Sequence, residues 1–224
     1  MMNNLFSIFD PATSMIFSMN WISNFSVMIF FPLFYWFVPS RMNMIYLELI
    51  FYLINEFKVL MNKKINYLNM IIFLSMFVLL MLNNFMGLFP YIFTSSSHLV
   101  MSLSLSMILW MSYTIFGWLN YSNHMFTHLV PQGTPFILMP FMVIVESLSN
   151  NIRAGTLSVR LSANMIAGHL LMTLISSTGE NLSFFLLMFM LLSQSILIIL
   201  EISVSFIQAY VFSVLSTLYS TESN

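Results

Sequence analysis

The sequence predicts an all-α membrane protein with about five membrane-embedded helices and one amphipathic helix at the membrane surface. Three observations carry this. Only 6% of the 224 residues are charged while 59% are hydrophobic, against about 25% charged in an average soluble domain. Several apolar runs exceed the roughly 18 residues that mark a spanning helix. Inside the two longest runs the few polar residues recur seven apart, which on a helix traces one slowly winding stripe.

With so few charges a soluble chain of this size could not cover its surface. The net charge of −1 gives no reason to expect nucleic acid as a partner. The chain has no cysteine, which excludes disulfides, thiolate metal sites and cysteine nucleophiles. The opening MMNNLFSIFDPATSM reads as neither a cleaved secretory signal nor an Arg-rich transit segment. Abundant Met, Phe, Ile, Leu, Asn and Ser beside scarce Arg, Ala and Gly resembles the bias of an A/T-rich organellar genome. We read residues 1–224 as a single membrane domain.

The first apolar run, 15–38, holds Asn20, Asn24 and Pro32 and is closed by Pro39, Ser40 and Arg41. It predicts one span kinked near Pro32. Across 43–64, Glu48, Asn55, Glu56, Asn62 and Lys63 share one helical stripe and Leu47, Ile50, Phe51, Ile54 and Phe57 fill the other side. That pattern predicts an amphipathic helix on the membrane or packed on a partner. Arg41, Lys58, Lys63 and Lys64 are four of the six basic residues, so this side is the inner one and the N-terminus faces outward. Spans are expected at 68–88 and 99–119, joined by a short outer loop containing TSSSH.

Two longer apolar segments follow, 136–176 and 182–218, joined by SSTGEN. As helices they would be about 60 and 55 Å long, against a hydrocarbon core of about 30 Å. Either each breaks, for instance near Gly155, or both are steeply tilted. The second ends on the inner side.

The segment 158–173, SVRLSANMIAGHLLMT, sets Arg160, Asn164 and His169 among small and apolar residues. A charge at mid-membrane costs about 2.5–3.5 kcal/mol on insertion scales, so a chain this poor in charge has a use for Arg160. No acid stands three or four positions from it. Glu146, Arg153 and Arg160 are spaced by seven, Asn150 and Asn164 widen their stripe, and Glu201 and Gln208 repeat the spacing on the second segment. His169 lies nine residues after Arg160, on the opposite side of the helix, and should face another element. An antiparallel hairpin of the two segments would gather these groups.

Plainer alternatives stand beside this. Glu146 and Arg153 could simply pair with each other, His169 could be a satisfied interior histidine, and Gln208 could be interhelical glue. His124 and His128 are i, i+4 without a third ligand, which reads as a solvated loop; neither metal nor cofactor is expected. For Arg160, a fixed cation facing a moving carboxylate could hold it ionised and block leakage between two wet paths.

The blocks SVRLSANMIAGHLL and IQAYVFSVLSTLY, with the PQGTP loop, closely resemble the subunit a family of the rotary F-type ATP synthase, its mitochondrially encoded animal members above all. The resemblance spans essentially the whole chain. It implies that Arg160 is the family's essential arginine, facing the proton-carrying carboxylate of the subunit c ring. Gln208 matches the glutamine beside it on the last helix. His169 and Glu201 look exchanged relative to bacterial members and belong to a half-channel, and Glu146 matches an acid near the inner, matrix-facing path. It also implies that the last two helices are long and tilted, that the other partners are membrane-sector and peripheral-stalk subunits, and that the N-terminus lies on the intermembrane-space side. Where animal members commonly read Ile-Arg-Pro-Gly, this chain has Ile152, Arg153, Ala154 and Gly155. The chain has no GxxxxGK[ST] phosphate loop, so nucleotide chemistry belongs to partners. A respiratory proton pump is the runner-up, but it would be expected to carry lysines and glutamates mid-span. A passive scaffold would tolerate loss of Arg160.

Overall fold

In a computed structural model, residues 5–13, 17–32, 35–61, 69–130, 133, 135–179 and 183–222 are described. These residues form helices and turns, with no strand among them. A 3₁₀ turn, Leu5–Phe9, opens the chain. It is followed by short turns at Met19–Ile22, Ser23–Ser26 (α1) and Val27–Phe30. Then come α2 (Arg41–Leu60), α3 (Asn69–Gly87), α4 (Leu99–Asn120), α5 (Ser122–Leu129), α6 (Met139–Thr178) and α7 (Phe184–Glu222).

Within the run 15–38, residues 19–30 are continuously helical but alternate between 3₁₀ and α turns, and residues 15, 16, 33 and 34 lie outside the described residues. Ser18, Asn20, Ser23 and Asn24 stand in this stretch, residue types that are weak helix formers. The Ser23 hydroxyl donates to the Phe93 carbonyl at 3.0 Å. The segment still travels. Trp21 packs on Phe93 and His98 at the α3–α4 turn, while Phe31 meets Tyr46 of α2. Among the described residues four helices, α3, α4, α6 and α7, are long and apolar enough to cross a membrane.

The amphipathic segment is helical over Arg41–Leu60, capped by the Ser40 hydroxyl, which accepts from the Asn43 N–H at 3.4 Å. Its buried side differs from the stripe expected. Leu53 and Phe57 enter the core and Tyr46, Leu49 and Ile54 pack against it, while Phe51 is 62% exposed. Asn62, Lys63 and Lys64 lie outside the described residues. The core gathers Phe57 and Met61, Phe73 and Leu80 of α3, Leu161 of α6 and Phe212 of α7. Truncating a fully buried phenylalanine costs about 3–5 kcal/mol. Phe57→Ala should therefore release α2 and lower the yield of assembled protein, read by thermal unfolding in detergent; an unchanged midpoint would show that α2 contributes no stability.

Both long segments are single helices of 40 and 39 residues, without a break at Gly155. Pro140 sits in the first turn of α6, where its missing N–H is harmless. The helices touch through small residues: Ser102 and Ser106 of α4, Ala154, Ser158 and Ser162 of α6, and Ser205, Ala209, Ser213, Ser216 and Thr217 of α7 are all buried. Small side chains let apolar helices approach closely. The serine hydroxyls bond their own helix, as Ser158 to the Gly155 carbonyl at 2.7 Å and Ser213 to that of Tyr210 at 2.9 Å. They are structural and already satisfied.

Candidate functional site

The register of the α6–α7 hairpin is fixed at one contact. Glu201 lies directly on Gly168, so closely that a Cβ on that glycine would sit 2.7 Å from the carboxylate Oε1. The carboxyl group is buried, and neither oxygen has a hydrogen-bond partner. In an antiparallel pair the count from this contact sets Arg160 and Gln208, eight and seven residues away, at a common level about 12 Å along the axis. Glu146 and the end of α7 lie about 20 Å further on.

Arg160 is exposed on the side of α6 away from its buried face, which is formed by Ala154, Leu157, Ser158, Leu161, Ser162 and Met165. Ala163 and Ala167 are exposed beside it and Asn164 is half-buried. Among the described residues Arg160 has no ion-pair partner. Gln208 is half-buried, next to the wholly buried Ala209. A fixed cation thus stands on a surface flanked by methyl groups, where another helix can come close.

His169 points the other way, as its position nine residues after Arg160 requires. Its ring makes a backbone hydrogen bond with Gly87 at the end of α3 and meets the Phe9 ring edge-on at 6.3 Å. Its Nε2 is buried without a partner. It is not the fully satisfied interior histidine of the plainer reading.

The same region holds polar groups that hydropathy gave no reason to single out. Asn83 and Asn84 are buried one turn before Gly87, and their amide nitrogens have no partner. Ser96 and His98, in the turn leading into α4, each bury an unpartnered polar atom as well. An orphaned buried polar group costs about 1–3 kcal/mol, so several in one region call for a physical explanation. The signal in the sequence was the Asn83–Asn84 pair inside an apolar helix.

At the opposite end a cavity of about 780 Å³ opens where α4 and α5 meet the start of α6 and the end of α7. Glu146, Asn150, Asn151 and Arg153 line it from α6, Trp110, Tyr113 and Trp118 from α4, His128 from α5 and Tyr219 from α7. The polar groups thus fall into two sets, one near Glu201 and His169 and one around Glu146, with Arg160 between them in level. Among the described residues no three His, Asp or Glu side chains converge to hold a metal.

The family model of the ATP synthase A chain matches residues 13–221. The chain belongs to that family. It is 54% identical over 224 residues to "ATP synthase subunit a" of Drosophila melanogaster, covering all of both chains. It is 53% identical over 223 residues to that of Locusta migratoria, with 99% of each covered, and 52% over 226 residues to that of Anopheles gambiae, again over both whole chains. A member of the ATP synthase A chain family is a stator component of the proton-translocating F-type ATP synthase and works with that enzyme's other subunits. With its apolar helices, this member is a multi-pass protein of the mitochondrial inner membrane.

Proposed function

We propose that this chain conducts protons through two half-channels to a rotating ring of subunit c, with Arg160 separating them. The observation that carries the reading is Arg160 itself, a charge on an exposed, alanine-flanked surface of α6 whose level lies between two sets of polar groups. The outer half-channel runs past Ser96, Asn84, His169 and Glu201; the inner one opens in the cavity lined by Glu146. A proton entering from outside reaches a ring carboxylate, rides round with it and leaves toward Glu146. As the carboxylate passes Arg160 it is held ionised, so no proton crosses directly. Asn164, four residues on along the same helix, and Gln208, at the same level on α7, flank the arginine. Each proton carries about 2.3 kcal/mol per 100 mV, and the ring turns that into rotation used for ATP synthesis on other subunits.

In this reading Arg41 and Lys58 mark the matrix side, the C-terminus lies there too, and the N-terminus faces the intermembrane space. The remaining contacts are with membrane-sector and peripheral-stalk subunits. At about 60 Å, α6 is twice the hydrocarbon thickness, so α6 and α7 lie steeply tilted along the ring.

The chain has no cysteine, which makes a single introduced thiol a unique probe. Ala163→Cys or Ala167→Cys should form a disulfide with a cysteine placed beside the ring carboxylate, whereas Ser158→Cys, on the buried face, should not. Equal cross-linking from both faces, or from neither, removes the ring from this surface.

A further inference from the structure

The histidine pair on α5 is absorbed by nothing above. His124 and His128 stand one turn apart on a helix held against α4 by the Trp118–Phe126 contact, ring centroids 4.9 Å apart. Both are exposed, and their Nε2 atoms lie 3.3 Å apart. Two histidine nitrogens at about 2.0–2.1 Å from a tetrahedral zinc ion are about 3.3–3.4 Å apart, so the pair already has the bite of a bidentate metal ligand. Without a metal, one ring donates its N–H to the bare nitrogen of the other. His128 also lines the cavity that holds Glu146 and Arg153.

We propose that His124 and His128 bind a divalent cation of the Zn²⁺ class, with water completing the coordination, and that the bound ion slows proton passage through the inner cavity. The second half rests on the role proposed for Glu146. Imidazole nitrogen suits Zn²⁺ and its neighbours, whereas Mg²⁺ wants oxygen ligands. No electron transfer is involved, since zinc has no redox chemistry. A dication at the rim is the largest local charge there, and it opposes the arrival of a proton beside Glu146. The Arg153 guanidinium lines the same cavity and weakens metal binding without supplying a competing ligand.

The test uses the whole synthase, first in detergent and then in vesicles. Isothermal titration with ZnCl₂ should show a site that His124→Gln and His128→Gln each weaken at least about tenfold, since even outer-shell changes cost about 10–100-fold; MgCl₂ should not occupy it. ATP-driven proton pumping, normalised to each enzyme's metal-free rate, should be inhibited by Zn²⁺ in the parent and correspondingly less in both variants. Binding that does not depend on the histidines overturns the site. Histidine-dependent binding with unaffected pumping overturns the regulatory half. The cross-linking of Ala163→Cys then decides separately whether the rotor-facing reading has failed too.

Discussion

Arg160→Ala should abolish coupled ATP synthesis in a complex that still assembles, while Arg153→Ala should keep most of it. The two arginines share a stripe but differ in surroundings. Arg153 lines the wide cavity and has an interaction partner in this chain. Arg160 stands among alanines with no ion-pair partner among the described residues. An opposite charge within about 4–6 Å favours the ionised form of a carboxylate by about 1.4–4 kcal/mol. In the proposed mechanism its removal therefore cuts the ratio of ionised to protonated ring carboxylate by about ten- to a thousandfold. The ring should then either stall or let protons slip past without torque. Arg160→Lys keeps the charge but loses the planar fork that spans two partners, and should recover only part of the rate. The measurement is ATP synthesis and passive proton conduction in reconstituted vesicles, with assembly checked on native gels. Normal synthesis in Arg160→Ala would reduce the arginine to a structural residue and end the mechanism proposed for it.

Much of the fold was legible because the membrane leaves few options: an apolar run must bond its own backbone, and a helix does so. Hence the long apolar segments around α3, α4, α6 and α7 stand out in the sequence, and so does the side of α6 opposite Arg160 that carries His169. What hydropathy missed had local causes. Over 19–30 hydropathy does not distinguish the 3₁₀ turns from the α turn between them. On α2 the period was readable but the buried face was not, because Phe51 and Leu53 are equally apolar and only packing against α3 and α7 separates them. The site was half legible. Stripes of charge follow from spacing within one helix, whereas the register between helices does not. No pattern in either segment says that Gly168 receives Glu201, and that contact sets the level of Gln208 against Arg160. That Asn83 and Asn84 are orphaned is not readable from the sequence, because whether an amide is satisfied depends on neighbours from other elements.

Glu201→Gln should lower proton flux at least about a hundredfold, the lower bound for losing a positioned proton-transfer group. The substitution keeps the shape of the side chain, so its packing on Gly168 survives and assembly should be normal. What it removes is the ability to take up and release a proton where neither carboxylate oxygen has a protein partner. Gly168→Ala approaches the same residue from the opposite direction. The carboxyl group remains chemically intact, but the new methyl would sit 2.7 Å from Oε1, so Glu201 must move. If the role of Glu201 depends on its position, Gly168→Ala should slow flux too, and Glu201→Asp, one methylene shorter, should restore part of the rate in that background by withdrawing from the methyl. A merely structural Glu201 predicts the reverse: Glu201→Gln would be silent, and only Gly168→Ala would do harm, through lost assembly. Flux per assembled complex across these three variants separates the two cases, because relief of Gly168→Ala by the shorter acid has no reason to occur unless the carboxyl group itself handles the proton.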